Sequence, residues 1–295
     1  MIIVADAGST KTDWRILEGT GDTVIRTSGM NPAIMSESQI CDILKKELRP
    51  QLAQSGILSE RCNSGHRSDD IEIYYYGAGC SQQNVPKMKK LLQNIFGTGS
   101  KTEVESDLTA AGRSLFGRDK GIACILGTGS NSGLYDGNNI TYKVPSMGYI
   151  LGDEGSGAVL GKLFLNALYK GRLPKPLLKE FEEQCSTDID DIIQNVYRRN
   201  TPSKFLASLS VFISSHIDVD GVADIVVSNF RSFFRNNTSQ YNYPELEVGI
   251  VGSIACIYRT QLLEAAQAEN VRIGCILQSP AERLVEYHKS EAVRP

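Results

Sequence analysis

The run Asp6-Ala7-Gly8-Ser9-Thr10-Lys11-Thr12-Asp13 sets an acid at the end of an apolar stretch and follows it with glycine, hydroxyls and a lysine. Backbone N–H groups in such a turn form a concavity that holds phosphate oxygens, and the hydroxyls add donors. The leading acid can hold magnesium, usually through water. A hairpin with an acidic flank accounts for the same residues equally well. The run is not a P-loop, because the earlier glycine and the helix-opening Gly-Lys-Ser/Thr order are missing. Gly127-Thr128-Gly129-Ser130-Asn131-Ser132 has the outline of a dinucleotide fingerprint. Serine at 132, and a following strand in place of a helix, count against one. A second phosphate clamp is the better reading, with a plain tight hairpin as its rival. Gly249-Ile250-Val251-Gly252-Ser253-Ile254-Ala255 puts glycines at a strand end, where the backbone can approach a flat ligand. Gly148-Tyr149-Ile150-Leu151-Gly152-Asp153-Glu154-Gly155-Ser156-Gly157 places two acids between glycines ahead of an apolar helix. Asp153 as a helix N-cap explains part of that run. A polar-ligand site explains both acids.

These motifs need rigid elements to hold them. Residues 1–6 are β-formers and residues 14–17 a second strand, which makes a strand–turn–strand unit around the first motif. Residues 36–55 carry Ile40, Ile43, Leu44, Leu48 and Leu52 at helical spacing, with Ser36 and Gln39 as a capping box and Gly56 at the stop. Residues 59–70 are polar and read as a loop. Residues 71–77 form a strand that opens into Gly77-Ala78-Gly79. Residues 85–96 form an amphipathic helix ended by Gly97, and 101–106 a strand that leads into an Ala-rich helix from Asp107. The pattern restarts at Gly121 with strand 121–127, the second motif, strand 133–136, a turn and strand 140–144. Residues 155–236 are mostly helical, 246–251 and 271–277 are strands, and 280–289 is the last helix. Two segments, starting at Met1 and Gly121, thus share a strand, a Gly/Ser/Thr turn and a second strand. This weak repeat points to a duplicated α/β fold with a ligand cleft between its halves.

Composition sets the outer bounds. A length of 295 residues suggests two domains. Lysines and arginines number 31 against 34 aspartates and glutamates, a net charge of −3. That argues against a broadly basic nucleic-acid-binding face. A 41% hydrophobic and 22% charged chain has ample material for a core. No apolar run reaches the roughly 18 residues that a membrane span needs. The first residues lack a basic n-region, so they read as a strand of the fold and not as a signal peptide. Seven cysteines without CxxC spacing suit a reducing cytoplasm better than a disulfide framework or a zinc site.

Taken together and in this order, the four motifs resemble the actin-like ATPase superfamily of sugar kinases, heat-shock ATPases and actin, over essentially the whole chain. Residues 6–13 look like its first phosphate motif, 127–130 like its second and 249–255 like its adenosine motif. The Gly152-Asp153-Glu154-Gly155-Ser156 run is most similar to the N-acetylglucosamine kinases and related BadF-type ATPases. The resemblance implies a duplicated, ribonuclease H-like α/β fold, two domains around a nucleotide cleft. Its N-terminal domain would be residues 1–106 with the last helix, 280–295, returned to it, and its C-terminal domain residues 107–279. It implies ATP held by Asp6, Gly8, Ser9, Thr10, Lys11, Thr12, Gly127, Thr128, Gly129, Gly252 and Ser253, with magnesium at Asp6, through water. It implies a sugar pocket of Asn31 (from Gly29-Met30-Asn31-Pro32), Asp107, Thr128, Gly148, Tyr149 and Asp153. The family often has tryptophan where Tyr149 stands. Asp107 matches the catalytic aspartate, with Ser106 in place of the usual asparagine before it.

The implied activity is ATP-dependent phosphorylation of an amino sugar, N-acetylglucosamine first, at its 6-hydroxyl. Its partners would be a small sugar, with neither nucleic acid nor membrane, and a homodimer as a family expectation; its place would be the cytoplasm. Asp107 would accept the proton of the weakly nucleophilic hydroxyl, and domain closure would exclude water. One rival is an ATP-driven activator of a dehydratase, with an iron–sulfur cluster held at a dimer interface; the cysteines here show no Cys-Gly-Gly-type motif for one. Another rival is an ATP-binding sugar sensor without turnover, against which the presence of Asp107 argues. A polymerising actin-like protein would leave the Gly-Asp-Glu-Gly-Ser run without a role.

Overall fold

A computed structural model describes residues 1–8, 10–19, 21–57 and 71–292. Ser9 and the loop expected over 59–70 lie outside the described residues. The chain packs as two compact units, Met1–Ser114 with Pro280–Pro295, and Leu115–Ser279.

The first unit is built on one mixed sheet. Strand β1 (Ile2–Ala7) pairs antiparallel with β2 (Lys11–Glu18), which pairs antiparallel with β3 (Gly21–Ser28). On its other side β1 runs parallel to β4 (Glu72–Gly77), and β4 to β5 (Lys101–Ser106). The order is β3-β2-β1-β4-β5. Both faces of the central strands are covered, so they read as continuous apolar runs. Ile3, Ala5 and Ala7 face a core that holds Trp14, Tyr75 and Phe96, while Val4, Tyr74 and Tyr76 face the opposite layer. Trp14 is wholly buried and donates its indole N–H to Thr27 Oγ1 at 3.1 Å. That contact pins β3, a strand with no clear apolar alternation because it is the sheet edge and buries only Ile25 and Thr27.

Helices α1 (Glu37–Ile43) and α2 (Arg49–Gln54) cover the Trp14 face, with the expected capping box of Ser36 and Gln39 in place. The helix expected over 36–55 is not uniform, since Leu44–Leu48 winds as a π-turn. Pro50 explains it. Proline has no N–H for the carbonyl four residues back and its ring crowds that carbonyl, so the turn before it widens. Helix α3 (Val85–Phe96) completes that face, and α4 (Asp107–Phe116) follows β5 directly.

The second unit repeats the design. Strand β6 (Gly121–Leu126) pairs antiparallel with β7 (Ser130–Tyr135), and β7 with β8 (Ile140–Tyr142). Strand β7 begins three residues earlier than its composition suggests, because the Gly127–Gly129 turn is tight (Gly127 N to Gly129 O, 3.0 Å) and forces Ser130, Asn131 and Ser132 into register with β6. A helical stretch follows: α5 (Gly148–Leu151), α6 (Gly157–Tyr169), α7 (Lys175–Cys185), α8 (Ile189–Tyr197), α9 (Pro202–Ser208), α10 (Ser210–Ser215) and α11 (Val222–Asn236). Strand β9 (Val248–Val251) then runs parallel to β6, and after α12 (Ser253–Ile257) and α13 (Arg259–Ala268), β10 (Ile273–Leu277) runs parallel to β9. The order β8-β7-β6-β9-β10 reproduces the first sheet strand for strand, including which pairs are parallel. The fold is thus a duplicated actin-like α/β fold.

The last helix, α14 (Ala281–Ala292), packs on the first sheet. Leu284 and Val285 are buried against Val4, Leu17, Tyr74 and Tyr76. His288 stacks on Tyr74 with ring centroids 3.5 Å apart and hydrogen-bonds Tyr76 Oη at 2.7 Å. Among the described residues no helix is long and apolar enough to cross a membrane.

Candidate functional site

In each sheet the sequence motifs sit where parallel strands end, the place where open α/β sheets bind ligands. In the first unit β1, β4 and β5 end level, with Ala7 beside Gly77 and Gly77 beside Ser106. Asp6, one residue back on β1, lies across from Tyr76 on β4 and from Asp13 on β2.

The two acids that bracket the first turn have different surroundings. Asp13 binds Lys11 Nζ at 2.6 Å and Arg26 Nε at 2.6 Å. Burial works to raise the Asp13 carboxyl, but the hydrogen bonds and charges of Lys11 and Arg26 together hold it below its usual value. Lys11 is therefore spent on an ion pair. The turn is closed by Gly8 N to Lys11 O (2.9 Å) and tied to the next loop by Gly29 N to Thr10 O (3.1 Å). Thr12 is buried and its hydroxyl donates to Ser28 O at 3.2 Å, so its side chain holds β2 to the end of β3, just before that loop.

Asn31 follows in the same loop. Its Oδ1 accepts from Ala33 N at 3.0 Å and lies against Gly79, where a Cβ would come within 2.0 Å of that oxygen. Gly79 also has a φ of +78°, so glycine is required there twice over. Ala78 N donates to Ala7 O at 3.0 Å, which draws the Gly77-Ala78-Gly79 turn onto the end of β1.

Asp107 opens α4 at the end of β5. Ser106 caps that helix, its Oγ accepting from Thr109 N at 3.1 Å. Asp107 Oδ1 accepts from Leu108 N at 2.9 Å. Ser106, the residue before Asp107, pairs with Gly77 at the start of the Gly77–Cys80 turn, and burial first, then the charges of Asp107 and Glu105, push the Cys80 thiol up to about 12. The first unit thus gathers Asp6, Gly8, Thr10, Asn31 and Asp107 at one sheet end.

In the second unit, Gly127 O accepts from Gly157 N at 2.8 Å and Thr128 O from Ala158 N at 3.1 Å. The turn is therefore fastened to the first residues of α6. The N-cap of α6 is Ser156, whose Oγ accepts from Val159 N at 3.2 Å. This sets aside the alternative in which Asp153 caps the helix. Asp153 instead has a left-handed backbone (φ 53°), and its carboxyl accepts a hydrogen bond from Ser130 N. A Cβ on Gly129 would stand 2.9 Å from Asp153 Oδ2, so the acid lies directly on the second turn. Burial raises the Asp153 carboxyl to about 6; the Ser130 hydrogen bond opposes that rise and Glu154 adds to it.

Gly252 completes this end of the sheet. Its N–H donates to Leu277 O at 2.8 Å, and a Cβ there would lie 2.1 Å from Leu126 O. With φ at +137° as well, Gly252→Ala is expected to cost about 2 kcal/mol or more in urea unfolding. A loss under about 0.5 kcal/mol would show that β6 yields to the methyl group. Ser253 opens α12 beside it and is exposed.

Gly148 adjoins the Asp153 segment, its carbonyl accepting from Gly152 N at 2.7 Å, while Asp153 N donates to Ser146 O at 2.9 Å. Gly148 (φ 74°) starts the short α5, and Tyr149 lines an apolar cavity of about 720 Å³ with Leu165, Ile192, Val196 and Leu206. The Tyr149 carbonyl accepts from Lys162 Nζ at 2.8 Å.

Helix α11 supplies contacts that no motif contained. Asn229 bonds the backbone of Gly155 and Ser156, and Asn236 Nδ2 donates to Glu154 Oε1 at 2.9 Å. The available signal was an asparagine interrupting the apolar stripe Val222, Val226, Phe230, Phe233.

Solved structures that resemble the chain over nearly all of their length include two from bacteria. The putative N-acetylglucosamine kinase from Porphyromonas gingivalis is 39% identical, with a TM-score of 0.91, 99% of this chain covered and 100% of that one. A putative N-acetylglucosamine kinase from Chromobacterium violaceum is 19% identical, with a TM-score of 0.71 and coverage of 97% and 98%, which speaks for the fold alone. No protein-family model and no curated protein matches the chain.

Proposed function

Because this chain belongs to the N-acetylglucosamine kinase family of the actin-like ATPases, we propose that it transfers the γ-phosphoryl group of ATP to the 6-hydroxyl of an amino sugar, N-acetylglucosamine first among them. One observation carries the reading. Asp107 stands at a sheet end beside the Asn31–Gly79 contact, and Ser106 already does the capping that would otherwise explain an aspartate there.

A sugar hydroxyl is a weak nucleophile. A carboxylate in hydrogen-bond reach orients it and takes its proton as the bond to phosphorus forms. Asp107 has that role. Asn31 and Asp153 hydrogen-bond other sugar hydroxyls. The backbone of Thr10 in one turn, which the Gly8 N–H closes onto Lys11 O, and of Thr128 and Gly129 in the other, offers N–H donors to phosphate oxygens. Gly252 gives the nucleoside a close approach to backbone, and the exposed Ser253 beside it offers a hydroxyl. Among the described residues no three His, Cys, Asp or Glu gather at one point. Asp6, at the end of β1, is the acid of the first turn other than the one that Lys11 and Arg26 bind, and a single carboxylate beside a phosphate turn fits magnesium, which is usually held by one or two carboxylates, phosphates and water. Asp6 would hold it, and the ion when bound neutralises phosphate charge.

The test is a panel of amino sugars with ATP and magnesium, following ADP and phosphorylated sugar together. Equal amounts of both with N-acetylglucosamine, and no product from its 6-deoxy analogue, are expected. ADP release without any phosphorylated sugar would sink the reading.

Asp153 adds a pH signature. Its carboxyl is raised to about 6 by burial, so it is protonated below that and charged above. A charged acceptor binds hydroxyls more strongly than a neutral one. Calorimetry should show sugar affinity rising as pH passes through about 6 and then levelling. Asp153→Asn should lose that inflection. Stability carries the opposite sign. A folded-state pKa above the unfolded one favours folding at low pH, so this contribution fades as pH climbs through the same range.

A further inference from the structure

We infer that Asn229 is a positioning residue that couples the sugar segment to the second phosphate turn, so that sugar and nucleotide bind cooperatively. This rests on the reading of Asp153 and Gly127–Ser130 given above.

Asn229 is 1% exposed. Its Oδ1 accepts from Gly155 N at 2.9 Å, and its Nδ2 donates to Ser156 O at 3.2 Å. A buried amide is costly unless both ends are paired. Here both are, and both partners are backbone groups of the Gly-Asp-Glu-Gly-Ser segment. The amide also cannot be reversed, since its NH2 would then face the N–H of Gly155.

The two residues held by Asn229 lie between the two grips on the turn. Upstream, Asp153 accepts from Ser130 N. Downstream, Gly157 N and Ala158 N donate to the carbonyls of Gly127 and Thr128. The rest of the α11 face repeats the contact. Phe233 packs so closely on Gly155 that a Cβ there would be 2.8 Å from its own, and Asn236 holds Glu154. Positions 229, 233 and 236 follow helical spacing, so one rigid stripe fixes the segment at three points. A sugar that shifts Asp153 therefore acts on the turn through an anchored lever, and a phosphate on the turn acts back on Asp153. By linkage each ligand must change the affinity of the other by the same factor.

The experiment measures N-acetylglucosamine binding by calorimetry with and without a non-hydrolysable ATP analogue and magnesium, in the parent, Asn229→Leu and Asn229→Asp. In the parent the analogue should tighten sugar binding by about 5-fold or more. Leucine removes both hydrogen bonds at similar volume and should bring that factor close to one. Aspartate keeps the acceptor for Gly155 and loses the donor to Ser156, so it should give an intermediate factor. A purely structural asparagine would lower the melting temperature and leave the factor alone, and that result overturns the proposal. A parent factor of one overturns it too. Should the leucine variant fail to fold, the aspartate variant decides alone, and a parental factor there is a refutation. A parent that binds no amino sugar removes the functional reading and this proposal with it. Sugar binding and turnover in the parent, with coupling unchanged in the variants, removes only the proposal.

Discussion

Asp107→Asn is expected to slow sugar phosphorylation by roughly 10²–10⁴-fold, the usual worth of a general base, while melting at the parental temperature. The fold should not register the change, because Ser106 and not Asp107 caps α4, and asparagine can still accept from Leu108 N. ATP and sugar should bind as before. What asparagine cannot do is take a proton from the acceptor hydroxyl. A rate within a few-fold of the parent, with both ligands bound, would leave the chemistry without a base and the assignment without support.

Asp6→Asn should weaken the dependence on magnesium by about 10–100-fold, the typical loss when a group that holds a metal through its outer shell is removed. Asp13→Asn is the control. Both acids flank the same turn and face each other across β1 and β2. Asp13 is committed to Lys11 and Arg26, so its loss should lower stability and leave the magnesium titration in place. Turnover measured against magnesium concentration in the two variants separates them. Equal midpoints for Asp6→Asn and the parent would exclude Asp6 from the metal's surroundings.

Much of this site was legible because its parts are local. A strand end, a glycine turn and the next strand occupy consecutive residues, so Asp6, Gly8, Gly127 and Gly129 announce themselves. Asp107 did so because the strand before it and the helix after it are both regular. Two other features were hidden by geometry. Asp153 and Ser156 both lie near the start of α6, and either type caps a helix; only the left-handed backbone at Asp153 shows which one does. The β3 strand was illegible because an edge strand buries few residues and so carries little alternation. Asn229 had no local signature at all. Its partners are 73 and 74 residues away, and nothing in the chain near it says what it holds.

The attachment of α14 bears on the order in which the protein can be made. Leu284, Val285 and His288 cover Val4, Leu17, Tyr74 and Tyr76 in the first unit, yet all of Leu115–Ser279 is translated between them. At about 5–20 residues per second, that interval is on the order of ten seconds. Until α14 is made the nascent first sheet has one finished face and one face covered only by α4 (Ala110), whereas the second unit, continuous in sequence, has every strand and helix it requires once Ser279 is made. The half that starts the chain is thus the last to be completed on the ribosome, and for those seconds its half-covered tyrosine-rich face is where a chaperone would find its hold.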